Sequence, residues 1–208
     1  MDGVFMKKLL KNIGIFLLLA AFAWTGMVLA DRRRLSSGLI RLHIVAASDS
    51  EEDQATKLLV RDAVIASLQD SVGACEDIEE AEKFLEEQIP AITVIANDVL
   101  RDCGSNDVAV VSLETEEFST REYDTFTLPA GVYRSLRVTI GDGTGKNWWC
   151  VVFPTLCVGA TAEDFEEIAA GSGFPESLTE TLRQQDGYEV RFYLLDLLGN
   201  LENIFYCG

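Results

Sequence analysis

Leu128-Pro-Ala-Gly-Val-Tyr-Arg-Ser-Leu-Arg-Val-Thr-Ile140, the turn Gly141-Asp-Gly-Thr-Gly-Lys146, and Asn147-Trp-Trp-Cys-Val-Val-Phe-Pro-Thr-Leu-Cys157 carry the densest structural instruction in the chain. Pro129, Ala130 and Gly131 form a turn, since proline presets φ and glycine tolerates positive φ. Val132, Leu136, Val138 and Ile140 then alternate with Tyr133, Ser135, Arg137 and Thr139, the period of a strand with one buried face; Arg134 alone breaks it. Three glycines within Gly141–Lys146 suit a tight reversal. Trp148 to Phe153 is an unbroken run of strand formers, the pattern of a strand covered on both faces, and Pro154 stops it. The stretch predicts a β-hairpin whose second arm lies at the centre of the core.

Working outward, Leu39 to Ala47 reads as the first strand. Ser48 to Asp53 reads as a helix start, with Asp49 capping the first turn and Glu52 reaching back to it. A metal site on Asp49, Glu51, Glu52 and Asp53 is the sharper alternative. No calcium-loop spacing or mid-loop glycine supports it, so capping explains these acids better. That helix is expected to run to about Asp70 with Ala55, Leu58, Leu59, Ala63 and Ala66 on its apolar face, and Asp62 beside that face paired with Arg61. Glu76 to Gln88 reads as a second amphipathic helix, kinked or divided at Pro90 and continuing through Ile92, Ile95, Ala96 and Val99. Val108 to Phe118 is a strand with Ala109, Val111 and Leu113 on one side. Thr161 to Gly173 is an acidic segment, Glu176 to Gln185 a short helix, and Tyr188 to Leu195 a last strand with Tyr188, Val190, Phe192 and Leu194 on one side. This order predicts a single α+β domain with a mixed or mostly antiparallel sheet and two long helices on one face.

Ile13 to Ala30 is eighteen residues without a charge, preceded by Lys7, Lys8 and Lys11 and followed by Asp31 and three arginines. A run of this kind with basic flanks is an export signal or membrane anchor. Val28-Leu29-Ala30 forms an acceptable cleavage site, and cleavage is the reading preferred over an anchor. The expected organisation is 1–30 signal or anchor, 31–38 linker, 39–198 folded domain and 199–208 tail. Membrane contact is then confined to residues 1–30, if they are retained. The 208 residues carry a formal net charge of −17. Such a body is repelled by a nucleic-acid backbone or an anionic membrane surface, and nucleic-acid binding is set aside.

Chemistry is sparse. Gly141 to Asn147 mimics a phosphate loop, but its spacing is one residue short. Asn147 stands where Ser or Thr should hold magnesium, and a strand rather than a helix follows. His43 is the only histidine and lies within a strand, as a surface or partly buried residue with no nucleophile signature around it. Five cysteines without a Cys-x-x-Cys pair exclude the usual zinc site. No catalytic residue, metal or cofactor is assigned. Trp148 and Trp149 point to opposite faces of their strand. At least one belongs to the core, and the outward one, near Tyr133 or Arg137, is a partner anchor. Cys150 and Cys157 are symmetric about Phe153-Pro154. They are either a disulfide in an exported chain or two small buried hydrophobes.

Leu-Pro-Ala-Gly-Val-Tyr, the glycine-rich turn into Gly-Lys-Asn-Trp-Trp-Cys, and Phe-Pro-Thr-Leu-Cys together resemble the stage II sporulation protein R family. So does Arg41 to Val64, with Ser48-Asp-Ser-Glu-Glu-Asp-Gln54 and Val60-Arg-Asp-Ala-Val64. The likeness spans Arg41 to Leu198. It implies an intercompartmental signal of endospore formation, exported into the space between forespore and mother-cell membranes. There it would bind the extracytoplasmic portion of a membrane-embedded aspartic protease and trigger processing of the precursor of sporulation sigma factor E. The resemblance supplies no residue-resolved contact site. The residues themselves point to Asn147, Trp148 and Trp149 with Tyr133 and Arg137, and to the acidic corner from Asp49 to Asp53. The rival expectations are an exported envelope hydrolase, which needs converging acids with shifted titration, and a membrane-anchored structural module.

Overall fold

The computed structural model describes residues 3–123, 125–155, 169, 171, 174–183 and 190–206. In chain order these form α1 (Gly3–Gly38), β1 (Ile40–Val45), α2 (Glu51–Gly73), α3 (Ile78–Asp102), β2 (Ala109–Phe118), β3 (Arg121–Glu122), β4 (Thr127–Leu128), β5 (Gly131–Ile140), β6 (Asn147–Phe153), α4 (Glu176–Leu182) and α5 (Val190–Tyr206). The fold is α+β, as expected, and its main sheet has the order β2-β5-β1-β6.

β5 and β6 do not form a hairpin. β1 lies between them, parallel to β5 and antiparallel to β6. All six residues of β1 are buried, so it occupies an inner position, and the tryptophan strand β6 is an edge. The glycine-rich turn therefore spans a strand instead of reversing beside one. It straddles the end of β1, where Gly145 N donates to Ala46 O at 3.0 Å and Thr144 N to Ala47 O at 3.3 Å. A Cβ at Gly145 would stand 2.2 Å from Ser48 O, so only glycine permits this approach.

Register assigns the two faces. Ile40, Leu42 and Ile44 join Leu136, Val138, Ile140, Cys150 and Val152 beneath α2 and α3. The buried side of α3 (Ala81, Leu85, Ile92, Ala96, Leu100) follows the predicted spacing. Pro90 does not divide that helix: it is exposed, so the carbonyl it leaves unpaired meets water. On α2 the buried residues are instead Thr56, Lys57, Val60, Val64, Leu68 and Val72, while Leu58 and Leu59 are exposed. The reason is Lys57, whose stem is buried while its ammonium donates to Lys146 O at 2.9 Å and Gln54 Oε1 at 2.7 Å. Burial pulls this ammonium below its ordinary pKa.

The cap also differs from expectation. Ser50, not Asp49, is the N-cap of α2 and accepts from Asp53 N at 3.1 Å. Asp49 is engaged elsewhere, accepting from Lys146 N at 2.7 Å. Asp62 pairs with its neighbour Arg61 at 2.7 Å.

The opposite sheet face carries a second cluster containing Val28, Leu35 and Leu39 from α1 and its end, Phe118, Tyr133 and Val151 from the sheet, Leu178 and Leu182 from α4, and Leu195 from α5. Residues 190–195 were expected in a strand but belong to α5; Tyr188 and Glu189 lie outside the described residues. The apolar residues continue at helical spacing to Phe205, and seventeen residues exceed an ordinary strand. α5 thus also occupies most of the expected tail, with Gly199 against Ala130. Residues 31–38, expected as a linker, are the last turns of α1, where Leu35 is buried and Asp31 pairs with Arg191. The span Phe5–Gly38 of α1 is long and apolar enough to cross a membrane, a property shared by anchors and export signals. Most of the acidic 161–173 segment lies outside the described residues.

Candidate functional site

The face away from α2 and α3 holds the sheet's polar chemistry. Cα pairing aligns Ser112, Arg137, His43 and Trp149 in one row across four strands. The next row holds Glu114, Ser135, Arg41 and Val151. Strand alternation sends all of these to one side, because Ile40, Leu42 and Ile44 take the other.

His43 is the hub. Its ring stacks on Trp149 with centroids 3.7 Å apart and planes 20° apart. Nδ1 lies 2.9 Å from Glu116 Oε1, and Nε2 lies 2.9 Å from Asn147 Oδ1. Arg137 Nη1 donates to the same Glu116 oxygen at 2.8 Å, and the Arg121 guanidinium covers Trp149 at 5.0 Å. Burial pushes the Glu116 carboxyl upward, but the hydrogen bond and charge of His43 together with the charge of Arg137 outweigh it and hold the carboxyl below its ordinary range. Both imidazole nitrogens are committed, so His43 has no free lone pair for general-base work in this arrangement. Among the described residues no three His, Cys, Asp or Glu side chains converge as metal ligands.

One row away, Arg41 is fully buried. Its guanidinium donates to Tyr123 Oη at 2.7 Å and lies 4.2 Å from the Phe118 ring centroid and 5.2 Å from that of Tyr133. Nε and Nη1 have no hydrogen-bond partner among the described residues. Two aromatic faces and a phenol hold this cation where a carboxylate would be usual. Burial lowers its pKa, while Tyr123 and Tyr133 counter that shift. The same burial pushes the Tyr133 phenol up to about 12, and its hydroxyl donates to Pro129 O at 2.9 Å.

The sequence-derived residues thus separate. Trp149, Asn147 and Arg137 come together, with Asn147 exposed and Arg137 partly so. Tyr133 shares their face but is buried beneath Phe118 and Arg41. Trp148 points to the helical side, under the Arg61 guanidinium at 4.3 Å. Asp49 and Asp53 are engaged at the start of α2 and not in the His43 network: Asp49 accepts from Lys146 N, and Asp53 accepts from Ser48 Oγ. Cys150 is disulfide-bonded; Cys75 and Cys103 are free, and Cys157 lies outside the described residues. Sequence reasoning missed Arg41, His43 and Glu116 as a group. The available signal was polar residues alternating with Ile40, Leu42 and Ile44 in a strand too apolar to be a surface edge.

The sequence profile of the family described as "Stage II sporulation protein R" matches residues 36–163. The curated "Stage II sporulation protein R" of Bacillus subtilis (strain 168) is 31% identical over 221 residues, covering 94% of this chain and 98% of that protein. No solved structure matches.

Proposed function

This chain belongs to the stage II sporulation protein R family and so has a role in sporulation, and from that premise we propose that it is an exported signal that binds and activates a membrane-embedded aspartic protease. Activation triggers processing of the precursor of sporulation sigma factor E in the neighbouring compartment. The observation that carries this reading is the family match, which extends across β1, the first helices and the tryptophan strand. The apolar span of α1 is compatible with export or anchoring. The protease performs the chemistry. This chain shifts its conformational balance by binding the active state more tightly, and a differential affinity of about 1.4 kcal/mol changes that balance tenfold.

The contact surface proposed is the open end of the His43 face: Asn147, Arg137 and Trp149, with the exposed Val110 of β2 at the far edge of the same face. Trp149 and Arg137 are residue types that dominate binding hot spots, and the Glu116–His43 network holds them in place. Trp148 and Tyr133 support the fold and are not offered as contacts. The test is reconstitution of full-length chain, protease and precursor in one membrane preparation. Processing should require this chain and should fall severalfold in Val110→Glu or Asn147→Arg with unchanged unfolding midpoints. Processing at full rate without the chain removes the proposal, and full activity of both variants removes this surface.

A further inference from the structure

We infer that the outward face of α5 lies in the membrane interface beside the exit of α1, so that the folded domain rests on the lipid surface through Tyr193, Leu197, Leu201, Ile204 and Phe205. These five side chains are 43–80% exposed. Tyr193, Leu197, Leu201 and Ile204 recur at i, i+4, i+8 and i+11, which places them on one face. An ordinary surface helix puts its charges outward. α5 does the reverse. Arg191 donates through Nε to Asp31 at 3.2 Å, Asp196 accepts from Ala130 N at 2.9 Å, and Glu202 pairs with Arg32. Its three ionised side chains are therefore all engaged by the protein, and the outward arc is apolar but for exposed Asn200 at its margin, whose amide is bonded to Asp196. In water that arrangement exposes a contiguous apolar strip to no benefit.

The position of the strip identifies its occupant. Ile13 to Ala30 spans about 27 Å as a helix, close to the roughly 30 Å of a bilayer's hydrocarbon core. Asp31 and Arg32 are therefore the first residues past it. These two consecutive residues brace α5 at Arg191 and Glu202, which stand about 16 Å apart along that helix. The middle of α5 must then be level with the end of the apolar span, whatever the inclination of the two helices. Val28, inside the span, is itself buried against the domain, so no flexible spacer separates domain from membrane. Arg33 and Arg34 are exposed at the same level, where they face anionic headgroups, and Tyr193 suits the headgroup boundary. Membrane contact thus extends beyond residues 1–30. This contact does not depend on the identity of any protease.

The test places the full-length chain, one copy per nanodisc of phosphatidylcholine and phosphatidylglycerol, with a photoreactive diazirine near the headgroup end of an acyl chain. Peptide mapping then compares lipid adducts on residues 190–206 with those on α3, whose Val94 is 59% exposed and serves as an apolar control. α1 adducts confirm insertion. The expected result is a severalfold excess on α5 over α3, falling to the α3 level in Leu197→Glu/Leu201→Glu/Ile204→Glu while α1 labelling stays unchanged. The three positions are exposed, and an unchanged circular dichroism spectrum confirms that the variant folds. Wild-type α5 labelling no greater than that of α3 overturns the inference. So does α5-to-α5 cross-linking with little lipid labelling in nanodiscs loaded with two copies, which assigns the strip to a dimer.

Discussion

Replacing Gly199 by alanine sets helix propensity against packing, and the two disagree in sign. In an unpacked helix the change stabilises by about 0.8–1 kcal/mol. In α5 a Cβ at this position would stand 1.7 Å from the Ala130 carbonyl oxygen and 2.4 Å from its carbon. Both atoms are backbone at the entry to β5, so no side chain can rotate away. The helix must withdraw by roughly 1.5 Å to recover normal contact distances. Withdrawal breaks the hydrogen bond from Ala130 N to Asp196 and the one from Thr120 Oγ1. Overpacking costs about 1–3 kcal/mol, and a hydrogen bond to an ionised group about 1.5–3 kcal/mol. With both bonds lost and the propensity gain offset, the net loss is about 3–8 kcal/mol, or a midpoint lowered by roughly 6–30 °C in a chain of this size. Thermal unfolding of the full-length protein in nanodiscs reads the midpoint, and amide exchange along α5 reads the undocking. A higher midpoint for Gly199→Ala refutes the packing of α5 on β5.

Three further outcomes are expected. The carboxyl of Glu116 is held below its ordinary value of 4.5, so its contribution is complete above that pH and is lost as pH falls through the lower folded value. Urea midpoints between neutral and acid pH should therefore decline more steeply in wild type than in Glu116→Gln, and parallel curves contradict the network. Tyr133 titrates near 12; its neutral form is favoured by folding, so that stability is full below about 10 and lost as pH rises from there. Tyrosinate absorbance should show a late component among the five tyrosines that shrinks in Tyr133→Phe, the remainder belonging to Tyr123, whose phenol burial also raises. In denaturant without reductant, iodoacetamide should modify Cys75 and Cys103 and leave Cys150 untouched; carbamidomethyl Cys150 contradicts the bond.

Periodicity by itself determined the α+β class, the buried side of α3, the extent of β2 and β5, and the membrane-length apolar run, because each of these is a local pattern of apolar side chains along one element. It was silent on neighbours. The Gly141–Lys146 turn accommodates a hairpin or a crossing over β1 equally well, and only burial of every β1 residue decides for the crossing. The alternation from Tyr188 to Leu195 fits a strand, yet Asp31, Arg32 and Ala130, all distant in the sequence, supply the partners that make α5 a helix. The His43–Glu116–Asn147 group likewise unites three strands that no spacing links. Elements follow from short-range propensity, whereas strand order and polar clusters follow from which surfaces can be buried together, and that choice is made only when the whole chain has condensed.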